Sequence, residues 1–148
     1  MYKRQELARD RTAGAHPYLV LPEHTRGARE ILGPDALLAP EQAVFLGTDP
    51  SAARAAARKH LDIYTGLPNY TNNWLRSGFT PDDLVDGGSD RLCDALVAWG
   101  DEATVARRVH EHHEAGADHV CIQVVTAPDD TASMPMDVWR ALAPALTA

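Results

Sequence analysis

A chain of 148 residues with 45% apolar composition is long enough for one domain with a buried core. Its net charge of −7, with no basic run, argues against a nucleic-acid backbone or an anionic membrane surface as partner. No apolar stretch approaches a membrane span and the opening MYKRQELARDRTAG lacks an apolar h-region, so the cytoplasm is the expected compartment.

The opening MYKRQELARDR is polar and without a convincing period, which suits a frayed helix or a lead-in to the domain proper. Residues 15–21, AHPYLVL, read as a short strand with Pro17 tolerated near its start. A helix is predicted from Pro22 to the stop signal Gly33-Pro34. Residues 41–47, EQAVFLG, form the second predicted strand. Asp49 then caps an Ala-rich helix with Pro50 at its first position, running to about Tyr64. Gly, Pro and Asn punctuate residues 67–88, which predicts short helices broken by turns.

From Ser89 the pattern is helical, recapped at Gly100-Asp101, amphipathic onward and stopped at Gly116. Residues 119–125 are nearly continuously apolar, the mark of a strand covered on both faces in a parallel sheet. Cys121 lies in that strand, and with Cys93 it is expected as a reduced, packed thiol. A closing helix places Val138, Leu142 and Leu146 on one stripe. Three strands alternating with helices predict a parallel α/β sheet with right-handed crossovers, either a small open sheet or the tail of a barrel.

The segments GAHPYLVLPEHTRGAREILGP, LLAPEQAVFL, LPNYTNNWLRSGF, GGSDRLCDALVAWGD and EAGADHVCIQV, in that order, carry a family likeness. Together they resemble the C-terminal part of the luciferase-like monooxygenase superfamily, and most closely its coenzyme F420-dependent oxidoreductases. The resemblance implies the C-terminal portion of a (β/α)8 TIM-type barrel, with strands six to eight at residues 15–21, 41–47 and 119–125. It implies a helical insertion at about 67–88 and a last barrel helix at 135–146. Residues 1–12 fall outside it as a lead-in, and residues 13–148 form the partial barrel domain. The first five strands of the family have no counterpart here. The chain is thus expected to be a fragment of a hydride-transferring oxidoreductase that uses F420, or alternatively FMN as a monooxygenase, with a small organic substrate. The contrasting expectation is a non-catalytic half-barrel that survives by pairing with itself or with a missing N-terminal half.

Barrel chemistry sits at the C-terminal ends of strands, which singles out His16 and Tyr18, two residues alternating about Pro17 on one face. An imidazole and a phenol there suit hydrogen bonds to a substrate carbonyl or a deazaflavin edge. His24 and Thr25 fall at a helix N-terminus, where anions are attracted; capping is the role expected of Thr25. Tyr70, Asn72, Asn73 and Trp74 interleave amides with aromatics, as a lid over a flat ring would, or as a turn with Asn caps. Gly87-Gly88-Ser89 reads as a link with Ser89 as N-cap. HEHHE at residues 110–114 is not HExxH, so His110, His112 and His113 are expected on a solvated helix face, with no metal. Asp118 and His119 precede the last strand at the stability end of a barrel. Trp99 and Trp139 are expected on amphipathic helices as packing residues.

Overall fold

The computed structural model describes residues 3–127 and 134–147. In chain order the elements are α1 (Lys3–Arg11), β1 (Gly14–Ala15), α2 (Pro22–Leu32), β2 (Leu37–Leu38), β3 (Glu41–Leu46), α3 (Pro50–Thr65) and α4 (Pro68–Arg76). A 3-10 turn (Pro81–Leu84) follows, then α5 (Asp90–Leu96), β4 (Val97–Gly100), α6 (Glu102–Glu114), β5 (Cys121–Val124) and α7 (Met136–Leu146). The chain is α/β with parallel strands, as its apolar runs require. It divides into two compact units, residues 1–42 with 107–123, and residues 43–106 with 124–148.

In the first unit β1 and β2 pair in parallel, Gly14 against Leu37 and Ala15 against Leu38. The ladder continues past both strands: Leu37 N–H donates to Ala13 O (3.0 Å), Ala39 to Ala15 (2.9 Å) and Glu41 to Pro17 (2.8 Å). On the other edge of residues 37–41, Asp118 N–H donates to Leu38 O and Cys121 N–H to Pro40 O, each at 2.9 Å. The predicted strand at 15–21 is therefore shifted and shortened. Its bonds to the neighbouring segment include one from Glu41 N–H to Pro17 O, and Leu19 beyond it turns out of the extended region with φ of +51°.

One side of this ladder packs on helices, where Leu38, Ala28, Leu32 and Ala8 are buried together with Ala15 and Ala36 beside them. The α1 lead-in thus contributes Ala8 to the core. Arg29 on α2 ties the helix ends down, donating to the carbonyls of Gly116 (2.9 Å), Gly33 (2.6 Å) and Ala36 (2.8 Å) and to Asp118 (2.5 Å). Asp118 in turn accepts the Leu38 N–H at 2.8 Å, and that bond, aided by Arg29, holds its carboxyl below the usual range.

Gly116 makes this clamp possible. Its φ is +102°, and a Cβ there would lie 2.8 Å from Arg29 Cγ. A Gly116→Ala variant should lose about 1–3 kcal/mol in urea unfolding, from the left-handed backbone and the displaced guanidinium together.

In the second unit β3 and β4 pair in parallel from Ala43 against Val97 to Leu46 against Gly100, and Val125 N–H donates to Val44 O at 2.8 Å. Asp49 caps α3 through Ser51 N–H with Pro50 first in the helix, and Ala53, Ala56, Ala57 and Leu61 form its buried stripe. Ser89 caps α5 through Leu92 N–H, and Asp101 accepts Thr104 N–H at 2.8 Å at the start of α6. Leu142, the centre of the predicted α7 stripe, is fully buried.

Further expectations need correction. The helix from Ser89 does not run to Gly100: it ends at Leu96, and Val97–Gly100 is a strand beside β3. Ladder pairing there outweighs the helical leaning of an Ala/Leu-rich run. Trp99 accordingly lies on a strand, where its Nε1–H donates to Asp94 at 2.9 Å and Arg54 stacks over its ring. The last strand is half-exposed along Cys121–Val124, and Cys121 with it, because β5 is a terminal strand in the order β4-β3-β5. His112 is fully buried, for reasons that belong to its partners.

Candidate functional site

The β1–β2 register, carried one ladder step further at a time, sets His16 opposite Ala39 and Tyr18 opposite Glu41. Ala15 and Leu38, the alternate residues, face the helices. His16, Tyr18 and Glu41 therefore share the side of the ladder turned away from α2. This is the polar face of the first unit.

His16 is exposed, and its Nδ1–H donates to Ala39 O at 2.5 Å, which leaves Nε2 as the ring's acceptor. Tyr18 is half-buried and its hydroxyl donates to Gln123 Oε1 of β5 at 2.6 Å. Glu41 is 4% exposed; its Oε2 accepts the Leu19 N–H at 3.2 Å, and Oε1 has no hydrogen-bond partner among the described residues. Burial pushes this carboxyl up to about 7, against the opposing pull of the Leu19 N–H. A phenol, an amide, an imidazole and a neutral-leaning acid thus stand on adjacent parallel segments. They can donate and accept hydrogen bonds to an uncharged polar edge.

Glu41 and Gln123 were not singled out from the sequence. The available signal was a pair of polar residues inside otherwise apolar strands, which burial makes costly unless they are used.

On the opposite face, a second buried polar group joins three segments. His112 of α6 takes a bond at Nδ1 from Thr25 Oγ1 (2.8 Å), and its Nε2 meets Gln42 Oε1 at 3.1 Å. Thr25 is fully buried and does not cap α2, correcting the capping expectation; the N-cap is Leu21, without a side-chain bond. Burial, then the charges of Arg108, His113 and His24, pushes His112 down to about 4, so the ring is neutral. His24 sits half-buried in the first turn of α2, with Nε2 3.4 Å from Gln5 Nε2 of α1. His110 lies on the exposed side of α6 and pairs with Glu114 at 3.2 Å.

Tyr70, Asn72 and Asn73 belong to the second unit, within α4 rather than at a turn, so the Asn residues are not caps. Tyr70 meets Tyr64 edge-on at 4.9 Å between centroids and Trp74 at 6.1 Å, and His60 lies 5.8 Å from Tyr64. Trp74 is fully buried, Asn73 half-buried and Asn72 exposed. Burial lowers the His60 pKa. Gly87-Gly88 ends at Ser89, whose hydroxyl also donates to Asp83 at 2.6 Å.

No protein-family model matches this chain, and no curated protein does. Among solved structures the chain is similar to an F420-dependent secondary alcohol dehydrogenase in complex with an F420-acetone adduct. Identity is 15% and the TM-score 0.66, over 99% of this chain and 46% of that one. The chain therefore spans less than half the length of that structure. At this identity the likeness is one of fold, and the fold is that of part of a (β/α)8 barrel.

Proposed function

We propose that this chain is the C-terminal part of a deazaflavin-dependent oxidoreductase of luciferase-like fold, its parent moving a hydride between F420 and a small organic molecule. The observation that carries the reading is the fold likeness to an F420-dependent enzyme over nearly the whole chain. The ordered family motifs between residues 14 and 124 support it independently.

The residues present fit one end of such a cofactor. A deazaflavin ring carries carbonyl and N–H groups on one edge, and His16, Tyr18, Glu41 and Gln123 offer both donors and acceptors. When bound, F420 supplies two-electron hydride chemistry. The role of Tyr18 and His16 is to orient the ring edge or a substrate oxygen. His24, Tyr70, Asn72 and Asn73 are the further binding candidates.

Titration of F420 with the protein tests this. Deazaflavin fluorescence should be quenched saturably, and Tyr18→Phe should weaken binding roughly fivefold, the worth of one hydrogen bond of about 1 kcal/mol. Quenching of FMN and not of F420 would move the reading to the flavin branch. Indifference to both, with oligomers that grow with concentration, would favour the half-barrel that acts only through association.

A further inference from the structure

Residues 37–41 form the middle segment of the first unit's ladder, with residues 13–17 bonded along one edge and residues 118–121 along the other. Tyr18 follows the first neighbour and Gln123 the second, yet the Tyr18 hydroxyl donates to Gln123 Oε1 at 2.6 Å. That bond crosses the middle segment on the face that carries Glu41. The Glu41 side chain is buried there, at 4% exposure. Its Oε2 accepts the Leu19 N–H at 3.2 Å, and Oε1 is shut away from solvent with no hydrogen-bond partner among the described residues. A buried carboxylate oxygen without a donor is costly, so a ligand that brings one gains more than it would in water.

Neighbouring segments of a sheet stand about 4.8 Å apart. Across the three of this unit Tyr18, Glu41 and Gln123 offer, in order, an O–H donor, a carboxylate acceptor and amide N–H donors. A cyclic imide carries the complementary order along one edge: carbonyl, N–H, carbonyl. The pyrimidinedione end of a deazaflavin is such an edge. We propose that this face binds the imide edge of the deazaflavin: Glu41 Oε1 accepts its N–H, while Tyr18 and the Gln123 amide, released from each other, each donate to one of its carbonyls. Glu41 keeps the Leu19 N–H on Oε2, so both of its oxygens are then bonded. Each end of the opened Tyr18–Gln123 bond also finds a new partner, and the exchange leaves no polar group stranded. The identity of the ring rests on the oxidoreductase reading; the pairing belongs to any imide edge.

The experiment titrates the full chain with deazalumiflavin, a deazaflavin ring without the tail, and with the same ring methylated at the imide nitrogen. Fluorescence quenching is read at about pH 8, above the value of about 7 to which burial raises this carboxyl, so that Oε1 is an acceptor. The parent chain should bind the N–H ring about tenfold more tightly than the methylated one. Glu41→Leu should erase that preference, whereas a carboxyl that only supports the fold would leave the ratio of the two affinities unmoved. Gln123→Leu should weaken both rings alike and keep the ratio. Equal affinity of the parent for the two rings would overturn the proposal, as would binding of neither, a ratio that survives Glu41→Leu, or affinities untouched by Gln123→Leu. The parent comparison decides even if a variant fails to fold. F420 that fails to bind beside a selectively bound N–H ring would sink the cofactor reading alone. F420 that binds a chain indifferent to methylation would sink this inference alone.

Discussion

Glu41→Gln should match the parent in stability near pH 4 and exceed it by about 3 kcal/mol at pH 8. The unfolded carboxyl gives up its proton near 4.5, whereas in the folded chain burial delays this to about 7. Between those values the folded state holds more protons than the unfolded one, so stability falls as pH rises and levels off above 7. Gln has the same shape, still offers an oxygen to Leu19 N–H, and has nothing to ionise. Urea unfolding of both proteins at about pH 4, 6 and 8 reads the difference directly. Equal stability at pH 8 would mean that the ionised carboxyl finds compensation within the fold.

How far this was legible in the residues depends on range. Caps and stops are local chemistry, so Asp49-Pro50, Ser89, Asp101, Gly33 and Gly116 marked helix ends where the structure has them. The shared face of His16 and Tyr18 followed from alternation alone. By contrast, Val97–Gly100 is a strand because Ala43–Leu46 lies beside it, a pairing across more than fifty positions that four residues cannot announce. Glu41 meets Leu19 through the register of two segments separated by a whole helix, and no local pattern encodes that. His112 was different, since a signal existed. Val105, Val109 and His112 follow one another at helical spacing, and the first two are buried, so the third continues an inward stripe. The neighbouring His110 and His113 masked it, because a cluster of histidines reads as solvated.

His112→Leu should therefore be strongly destabilising, by about 2–4 kcal/mol, although the new side chain is apolar and of similar size. The ring accepts from Thr25 Oγ1 and faces Gln42 Oε1 with Nε2–H, and both partners are buried with it. Leucine answers neither bond. Adding Thr25→Val removes the stranded hydroxyl, and the double variant should recover part of the loss; simple additivity of the two changes would show that the pair is not coupled. The parent chain should also carry this residue's signature in pH. An unfolded histidine takes a proton near 6.5, while burial and neighbouring positive charge hold the folded ring neutral down to about 4. The unfolded state thus binds more protons in that interval, and the stability due to a neutral His112 is complete above 6.5 and lost as pH falls toward 4. Glu41 slopes the opposite way between 4.5 and 7, so from these two groups the parent should be nearly flat between about 4.5 and 6.5, where the slopes cancel. Glu41→Gln should expose a rise with pH across that window, and His112→Leu a fall. A flat profile in both variants would show that neither buried group titrates as its surroundings dictate.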